Sequence, residues 1–193
     1  TMVTVHMMRD GRIKGYFAWG MNPAHSTPNA KFARNAMANL DWLVCADWFP
    51  TETATFWKDP DMDPAKIQTE VYFLPAALIY EKIGSISNSG RWVQWRQQGV
   101  LPPGEAKSAF EIIEVLFDRI RSLYQKEGGV YPDPILKANM DYKVDGKYDL
   151  RAVCWAINGY TVQDGKLLPG YAQLQADGST ACGMWIYSGY YNN

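Results

Sequence analysis

Apolar and polar positions change period several times along the chain, and the first 75 residues carry the clearest pattern. Ile13 to Trp19 (IKGYFAW) is an apolar run of strand length that stops at Gly20-Met21-Asn22-Pro23, a set of turn formers. Ser26-Thr27-Pro28 supplies a capping hydroxyl and a first-turn proline, so a helix is predicted to start there. Phe32, Ala33, Ala36, Met37 and Leu40 follow at helical spacing and give one buried stripe over Lys31–Leu40. Trp42 to Ala46 (WLVCA) reads as a short buried strand that ends at Asp47. Strand, loop, helix and strand in this order make a βαβ unit with a right-handed crossover.

A polar loop is expected from Thr51 to Lys66, then a strand within Ile67–Leu74 (IQTEVYFL) closed by Pro75. Gly84 to Trp95 alternates weakly, as a short strand or hairpin does. The strongest helix signal runs from Glu105 to Lys126. There Ala109, Ile112, Ile113, Leu116, Phe117, Ile120, Leu123 and Tyr124 keep the i, i+3, i+4, i+7 rule, and Gly128-Gly129 ends it. Beyond Tyr131 the periodicity fades into short strands and loops, with hairpin-type turns at Asp164-Gly165 and Asp177-Gly178. The expected fold is α/β: a parallel-sheet βαβ core with an irregular, strand- and loop-rich C-terminal part. The expected division is an α/β segment over 1–130 and an extension over 131–193 that packs on it or on chain outside these residues.

Composition narrows this picture modestly. With 193 residues, 47% of them hydrophobic, the chain can bury one sizeable core. A formal net charge of −1 and a pI near 6.1 make no field for nucleic acid or an acidic membrane surface. No apolar run reaches the ~18 residues that span a bilayer, so no direct membrane insertion is expected. No signal-peptide pattern is visible, which fits a mature or trimmed product. Cys45, Cys154 and Cys182 are widely spaced and His6 and His25 are the only histidines, so metal-site spacing is lacking and packed thiols are the simpler reading. Eight tryptophans and twelve tyrosines indicate either a Trp-rich core or extended contact with a cofactor or another domain. The tail from Trp185 to Tyr191 is the candidate for an exposed apolar surface.

Candidate chemistry gathers at the carboxyl ends of the predicted parallel strands, where open α/β sheets bind ligands. Two loops leave from there, Gly20-Met21-Asn22-Pro23 and Asp47-Trp48-Phe49-Pro50-Thr51-Glu52-Thr53. A carboxylate at Asp47 can accept two parallel hydrogen bonds from the guanine edge, or can take a ribose diol. Gly20 removes a side chain where backbone approaches phosphate or sugar. Asn22 both donates and accepts. The Thr51 hydroxyl and turn N–H groups can hold phosphate oxygens, with the helix start near Pro28 adding a positive dipole end. The glycine-rich dinucleotide fingerprint is absent.

These same residues carry a family resemblance. The run "WGMNPAHSTPN", a helix, then "LDWLVCADWFPTETATFW" and "TEVYFLP" resemble the molybdopterin oxidoreductase superfamily. "GSISNSGRWVQWR" and "YAQLQADGSTACGMWIYSG" are similar to stretches of its respiratory and periplasmic formate dehydrogenases. The resemblance covers about Ile13 to Tyr190. It implies a dinucleotide-binding fold of the molybdopterin oxidoreductase type and a place inside a much longer catalytic subunit that oxidises formate. It implies molybdopterin guanine dinucleotide with molybdenum or tungsten in the parent, and an iron-sulfur cluster that this segment does not carry. The implied partners are the remainder of the catalytic subunit and an iron-sulfur electron-transfer subunit, in the periplasm. By resemblance Asp47 and Thr51 hold the guanosine end of one pterin dinucleotide, and Gly20 and Asn22 lie against its phosphates and sugar. Glu81, Gly84 and Arg91, in the stretch after the third strand, are further cofactor-binding candidates, with surface solvation or a local salt bridge as the plain alternative for Glu81 and Arg91. No metal-ligating or catalytic residue is expected here.

A non-catalytic nucleotide-binding or scaffold module of the same fold is the alternative function. A hydrolase of the α/β type is disfavoured, because no G-x-S-x-G elbow occurs and two histidines offer few triads.

Overall fold

A computed structural model describes residues 2–138, 140 and 142–191, and the chain falls into two compact units. The first comprises Thr1–Leu78 with Pro102–Ala109. Helix α1 (Met2–Arg9) precedes strand β1 (Gly15–Trp19), a one-turn α2 (Pro23–Ser26), α3 (Ala30–Met37), strand β2 (Trp42–Asp47), two 3₁₀ turns and strand β3 (Glu70–Pro75). The strands form one parallel sheet in the order β1-β2-β3, with Trp19 beside Ala46 and Asp47 beside Pro75. All three therefore end at one edge. The proline sits at the last position of an edge strand, where its missing N–H breaks no strand–strand ladder, and its carbonyl accepts the Lys107 N–H at 3.2 Å.

Alternation along the strands separates two faces. Ala18, Leu43 and Cys45 are buried in a cluster with Val5 and Met8 of α1 and Ala33, Ala36 and Met37 of α3, and Tyr16, Val71 and Phe73 pack against it. The small residues of α3 let it lie close to the sheet. Its start differs from the sequence expectation. Asn29, not Ser26 or Thr27, is the cap, its side-chain oxygen accepting the Phe32 N–H at 3.0 Å. The Ser26 hydroxyl instead donates back to Asn22 O at 2.9 Å, in the separate turn α2. At the other end of α3, the Thr69 hydroxyl reaches the carbonyls of Met37 and Leu40 at 2.9 and 2.8 Å. It thereby satisfies acceptors that the helix itself leaves open.

The second unit comprises Ile79–Leu101 with Phe110–Asn193. Strands β4 (Gly84–Asn88) and β5 (Trp92–Arg96) form an antiparallel hairpin. Helix α4 (Ala109–Glu127) is the long helix of the sequence pattern and is followed by a short α5 (Asp133–Leu136). The two-residue strands β6 (Lys143–Val144) and β7 (Lys147–Tyr148) pair, and Lys143 and the Tyr148 hydroxyl both donate to Asp118 of α4 at 2.6 Å. Helix α6 (Leu150–Asn158) then precedes a last pair, β8 (Tyr160–Thr161) and β9 (Thr180–Ala181).

Beyond Tyr131 the chain is rich in short strands and loops, as the sequence pattern predicts, and helix α6 is an addition to that pattern. Its signal is local: Asp149 caps it by accepting Arg151 N–H, and Leu150, Val153, Cys154 and Ile157 keep the helical spacing. Asn158, buried at its end, organises the tail. Its side-chain oxygen accepts the N–H groups of Gly189 and Tyr191 at 2.8 and 2.9 Å, and its amide donates to Leu168 O at 3.0 Å. Of the tail aromatics, Trp185 and Tyr190 are exposed, while Tyr187 and Tyr191 are half-buried. Among the described residues no helix is long and apolar enough to cross a membrane.

On the other face of the parallel sheet, the Trp42 indole lies against Gly15, so a methyl group at position 15 would overlap the ring. Gly15→Ala is expected to cost about 1–3 kcal/mol through this overpacking. The measurement is the urea midpoint. Adding Trp42→Leu should recover part of the loss, because the two changes share one contact.

Candidate functional site

The parallel sheet ends where the sequence placed its chemistry, and two loops meet there. Gly20 sits at φ +57°, a left-handed conformation that disfavours any side chain, and its N–H donates to Ala46 O at 2.8 Å. Among the described residues, its chain neighbours aside, nothing lies within 4 Å of where a Cβ at Gly20 would sit. Backbone is thus open at this edge, as a site for a sugar or phosphate requires.

Asn22 joins the loops. Its side-chain oxygen accepts the Thr53 N–H at 3.1 Å and the Thr53 hydroxyl at 2.8 Å, and its amide donates to Glu52 at 2.5 Å. Thr53 is buried and accepts in turn the Ala24 N–H at 3.0 Å. The Asn22 side chain therefore faces its own fold rather than open space. Its amide holds the Glu52 carboxylate below the usual carboxylate range, an effect larger than the influence of His25 or Arg34 nearby.

Asp47 continues the buried end of β2. Its Oδ1 accepts the Trp48 main-chain N–H at 2.7 Å, and among the described residues no hydrogen bond engages Oδ2. The carboxylate is half-exposed and keeps acceptor capacity for a ligand. The same charge, added to burial as the larger cause, pushes the Cys45 thiol up to about 11, so Cys45 stays a protonated, packed thiol. Thr51 is half-buried. Its N–H closes a turn onto Phe49 O at 2.8 Å and its carbonyl accepts the Thr55 hydroxyl at 3.0 Å, so both of its main-chain groups are engaged within the loop.

Two residues that hold these loops escaped the sequence reading. Arg34 of α3 donates to Ala24 O at 2.9 Å, beside the Asn22 loop, and pairs with Asp59, beyond the Thr53 loop. Asp59 is held below the usual carboxylate range, first by the Asp61 main-chain N–H, after its own desolvation is overcome, and then by Arg34. An isolated arginine on a helix and an aspartate after a 3₁₀ turn carry no sequence pattern that would have joined them.

The other three candidates belong to the second unit. Glu81 is buried, so surface solvation does not describe it, and its carbonyl accepts the Gln98 amide at 2.7 Å. Gly84 opens β4 in extended conformation, and a methyl group at that position would lie 3.4 Å from the Leu150 side chain, an ordinary packing distance. Arg91 occupies the β4–β5 turn at φ +59°, an unusual conformation for a side-chain-bearing residue. Its guanidinium lies 5.0 Å from the Tyr171 ring and 5.1 Å from the Tyr190 ring, a cation–π sandwich, and the Tyr190 hydroxyl donates to the Arg91 carbonyl. That same unit holds a cavity of about 620 Å³ lined by Trp95, Arg151, Cys154, Ile157, Tyr187 and others. No cluster of three or more metal-ligating side chains occurs among the described residues.

Residues 1–119 match the family model described as molybdopterin oxidoreductase. The chain belongs to the molybdopterin oxidoreductase family. It is 44% identical to the formate dehydrogenase subunit alpha of Megalodesulfovibrio gigas over 95% of this chain and 19% of that protein. It is 41% identical to the formate dehydrogenase 2 subunit alpha (cytochrome c-553) of Nitratidesulfovibrio vulgaris over 98% of this chain and 19% of that protein. To the nitrate-inducible formate dehydrogenase major subunit of Escherichia coli it is 39% identical over 95% of this chain and 20% of that protein. The chain spans about a fifth of the length of these relatives.

Asn22→Ala is expected to lower stability by roughly 1–3 kcal/mol, because Thr53 loses the acceptor for two donors in a partly buried place. The Glu52 carboxyl should also return toward its ordinary pKa, which a carbon-13 NMR titration reads directly. The sign follows from the depression: Glu52 contributes stability above its unfolded pKa and loses it as pH falls through the lower folded value. Glu52→Gln should remove that part of the acid dependence.

Proposed function

We propose that this chain is a segment of a formate dehydrogenase catalytic subunit, and that its parallel-sheet edge binds the guanosine end of one pterin guanine dinucleotide. The observation that carries the proposal is identity of about 40% to three formate dehydrogenase subunits over nearly all of this chain, past the residues that the family model covers. The residues at the sheet edge fit the nucleotide: open backbone at Gly20, a half-exposed Asp47 carboxylate with an oxygen left to accept, and the Thr51 hydroxyl in the same loop as Asp47.

In the parent, the molybdenum or tungsten centre carried by the pterins supplies the two-electron chemistry that converts formate to carbon dioxide. The residues of this chain do different work. Asp47 accepts from the guanine edge or from the ribose diol, Thr51 and the Gly20 backbone lie against sugar and phosphate, and Asn22 acts from behind by fixing the Thr53 loop. Glu81, Gly84 and Arg91 remain cofactor candidates of the second unit. The Arg91 guanidinium, flanked by two tyrosines, is suited to a planar or anionic group. The same proposal brings an iron-sulfur electron-transfer subunit as partner and the periplasm as compartment.

Three outcomes are expected. The purified 193-residue chain, without metal, shows no dye-linked formate oxidation; activity there would contradict the proposed division of labour. The coding region it comes from encodes a cysteine or selenocysteine followed by histidine, and a cluster of four cysteines; a free-standing frame of this length would instead favour a scaffold module. GMP binds to the chain, and Asp47→Asn weakens it by roughly 2–4 kcal/mol in a calorimetric titration, because a charge-assisted acceptor becomes a donor facing donors.

A further inference from the structure

We infer that Trp48 and Phe49 form the stacking surface for the purine base whose edge Asp47 holds, an inference that rests on the proposed role of Asp47. Exposure changes along the connection after β2. Thr53, Ala54 and Phe56 of the same loop are buried, Phe56 to 1% exposure. Trp48 and Phe49, directly after Asp47, are instead 49% and 66% exposed. Met21, on the neighbouring loop beside Gly20, is 49% exposed as well. Three large apolar side chains thus stand uncovered around the open stretch of backbone at the sheet edge.

Several other aromatics of this unit pair with one another. Phe17 stacks on Trp19 at 5.6 Å and meets Trp42 edge-on, and Phe56 meets Trp57 edge-on. Among the described residues no ring lies against Trp48 or Phe49. The backbone beneath them is nevertheless held. The Trp48 N–H is fixed on Asp47 Oδ1, the Phe49 carbonyl accepts the Thr51 N–H, and Pro50 restricts the turn between them. Two aromatic side chains on a restrained backbone, one and two residues from a carboxylate, suit a flat heterocycle whose polar edge meets that carboxylate. Little conformational freedom remains to be lost when it binds.

The chemistry divides the work. Stacking is indifferent to the identity of the base, since every base has a π face, whereas the Asp47 carboxylate favours guanine, which offers two parallel donors. The aromatics should therefore set affinity for any purine nucleotide, and Asp47 should set the preference for guanine over adenine.

The test titrates the 193-residue chain with GMP, AMP and ribose 5-phosphate, comparing Trp48→Leu, Phe49→Leu, their double variant and Asp47→Asn. Because both rings are exposed, these variants should melt with the wild type. The double variant is expected to lose GMP and AMP affinity by the same factor, roughly five- to thirtyfold, with ribose 5-phosphate unchanged. Wild-type GMP affinity in the double variant would overturn the stacking surface while leaving Asp47 in place if Asp47→Asn still weakens GMP. Equal loss of both purines with no change of the GMP-to-AMP ratio in Asp47→Asn would keep the stacking surface and remove Asp47 from base recognition. A chain that binds none of the three ligands would overturn both.

Discussion

Parallel register is the constraint from which the rest of the first unit follows. Pairing Trp19 with Ala46 and Asp47 with Pro75 brings the ends of β1, β2 and β3 into one line. Residues far apart in sequence then become neighbours, and the loop after β1 must lie beside the loop after β2. Left alone, two such loops would present unpaired backbone donors to each other. Asn22 resolves this with one side chain, which accepts from Thr53 twice and donates to Glu52. Arg34 supports the same join from α3, through Ala24 O on one side and Asp59 on the other. A restrained crevice at a sheet edge needs this kind of second layer, because groups that meet a ligand keep their geometry only when their own supports are satisfied.

That arrangement also separates residues that hold the loops from residues left free to meet a ligand. Asn22, Thr53, Glu52 and Arg34 are engaged within the fold. Among the described residues no hydrogen bond engages Asp47 Oδ2 or the Thr51 hydroxyl, while Gly20 donates its N–H to Ala46 O and has open space where a side chain would start. The division has an electrostatic side. Cys45, two residues before Asp47 on the same face, is buried and raised toward a neutral thiol partly by that carboxylate. Negative charge at the end of β2 is thus tolerated because it sits at the solvent edge, with a main-chain N–H on one oxygen, while the strand behind it stays neutral.

How much of this was legible follows from how local each signal is. The three parallel strands could be read because buried strands are short apolar runs bounded by turn formers, and α4 because its stripe repeats over many turns. The start of α3 was misplaced because Ser26-Thr27-Pro28 and Asn29 compete as caps within four residues. The choice depends on which side chain reaches an N–H in space, and Asn29 reaches Phe32. Helix α6 was missed although Asp149 and the Leu150, Val153, Cys154, Ile157 spacing marked it, because a nine-residue helix between two-residue strands offers little period to average. At the sheet edge the residue types were legible, but their roles were not. Asn22 looked like a ligand contact from sequence, and only long-range geometry shows that its partners are Thr53 and Glu52. Arg34 and Asp59 were invisible for the same reason, since an ion pair across twenty-five residues leaves no pattern along the chain.

The difference between the two faces of the sheet has a topological origin. In a sheet ordered β1-β2-β3, two right-handed crossovers step in the same direction, so both connections fall on one face. The buried cluster fits this: α3 from the first crossover and Ala54 and Phe56 from the second all pack with Ala18, Leu43 and Cys45. On the opposite face Ala46 is buried. Phe17, Trp19, Trp42, Val44 and Tyr72 stand there, with Phe17 and Tyr72 exposed and Trp42 laid against Gly15. Parallel sheets are ordinarily covered on both sides, and their strands read as apolar throughout for that reason. The aromatic character of this second face therefore belongs to the same sequence pattern that made the strands readable. Continuous apolar runs, rather than alternation of apolar and polar positions, are the imprint of a sheet built to be covered twice.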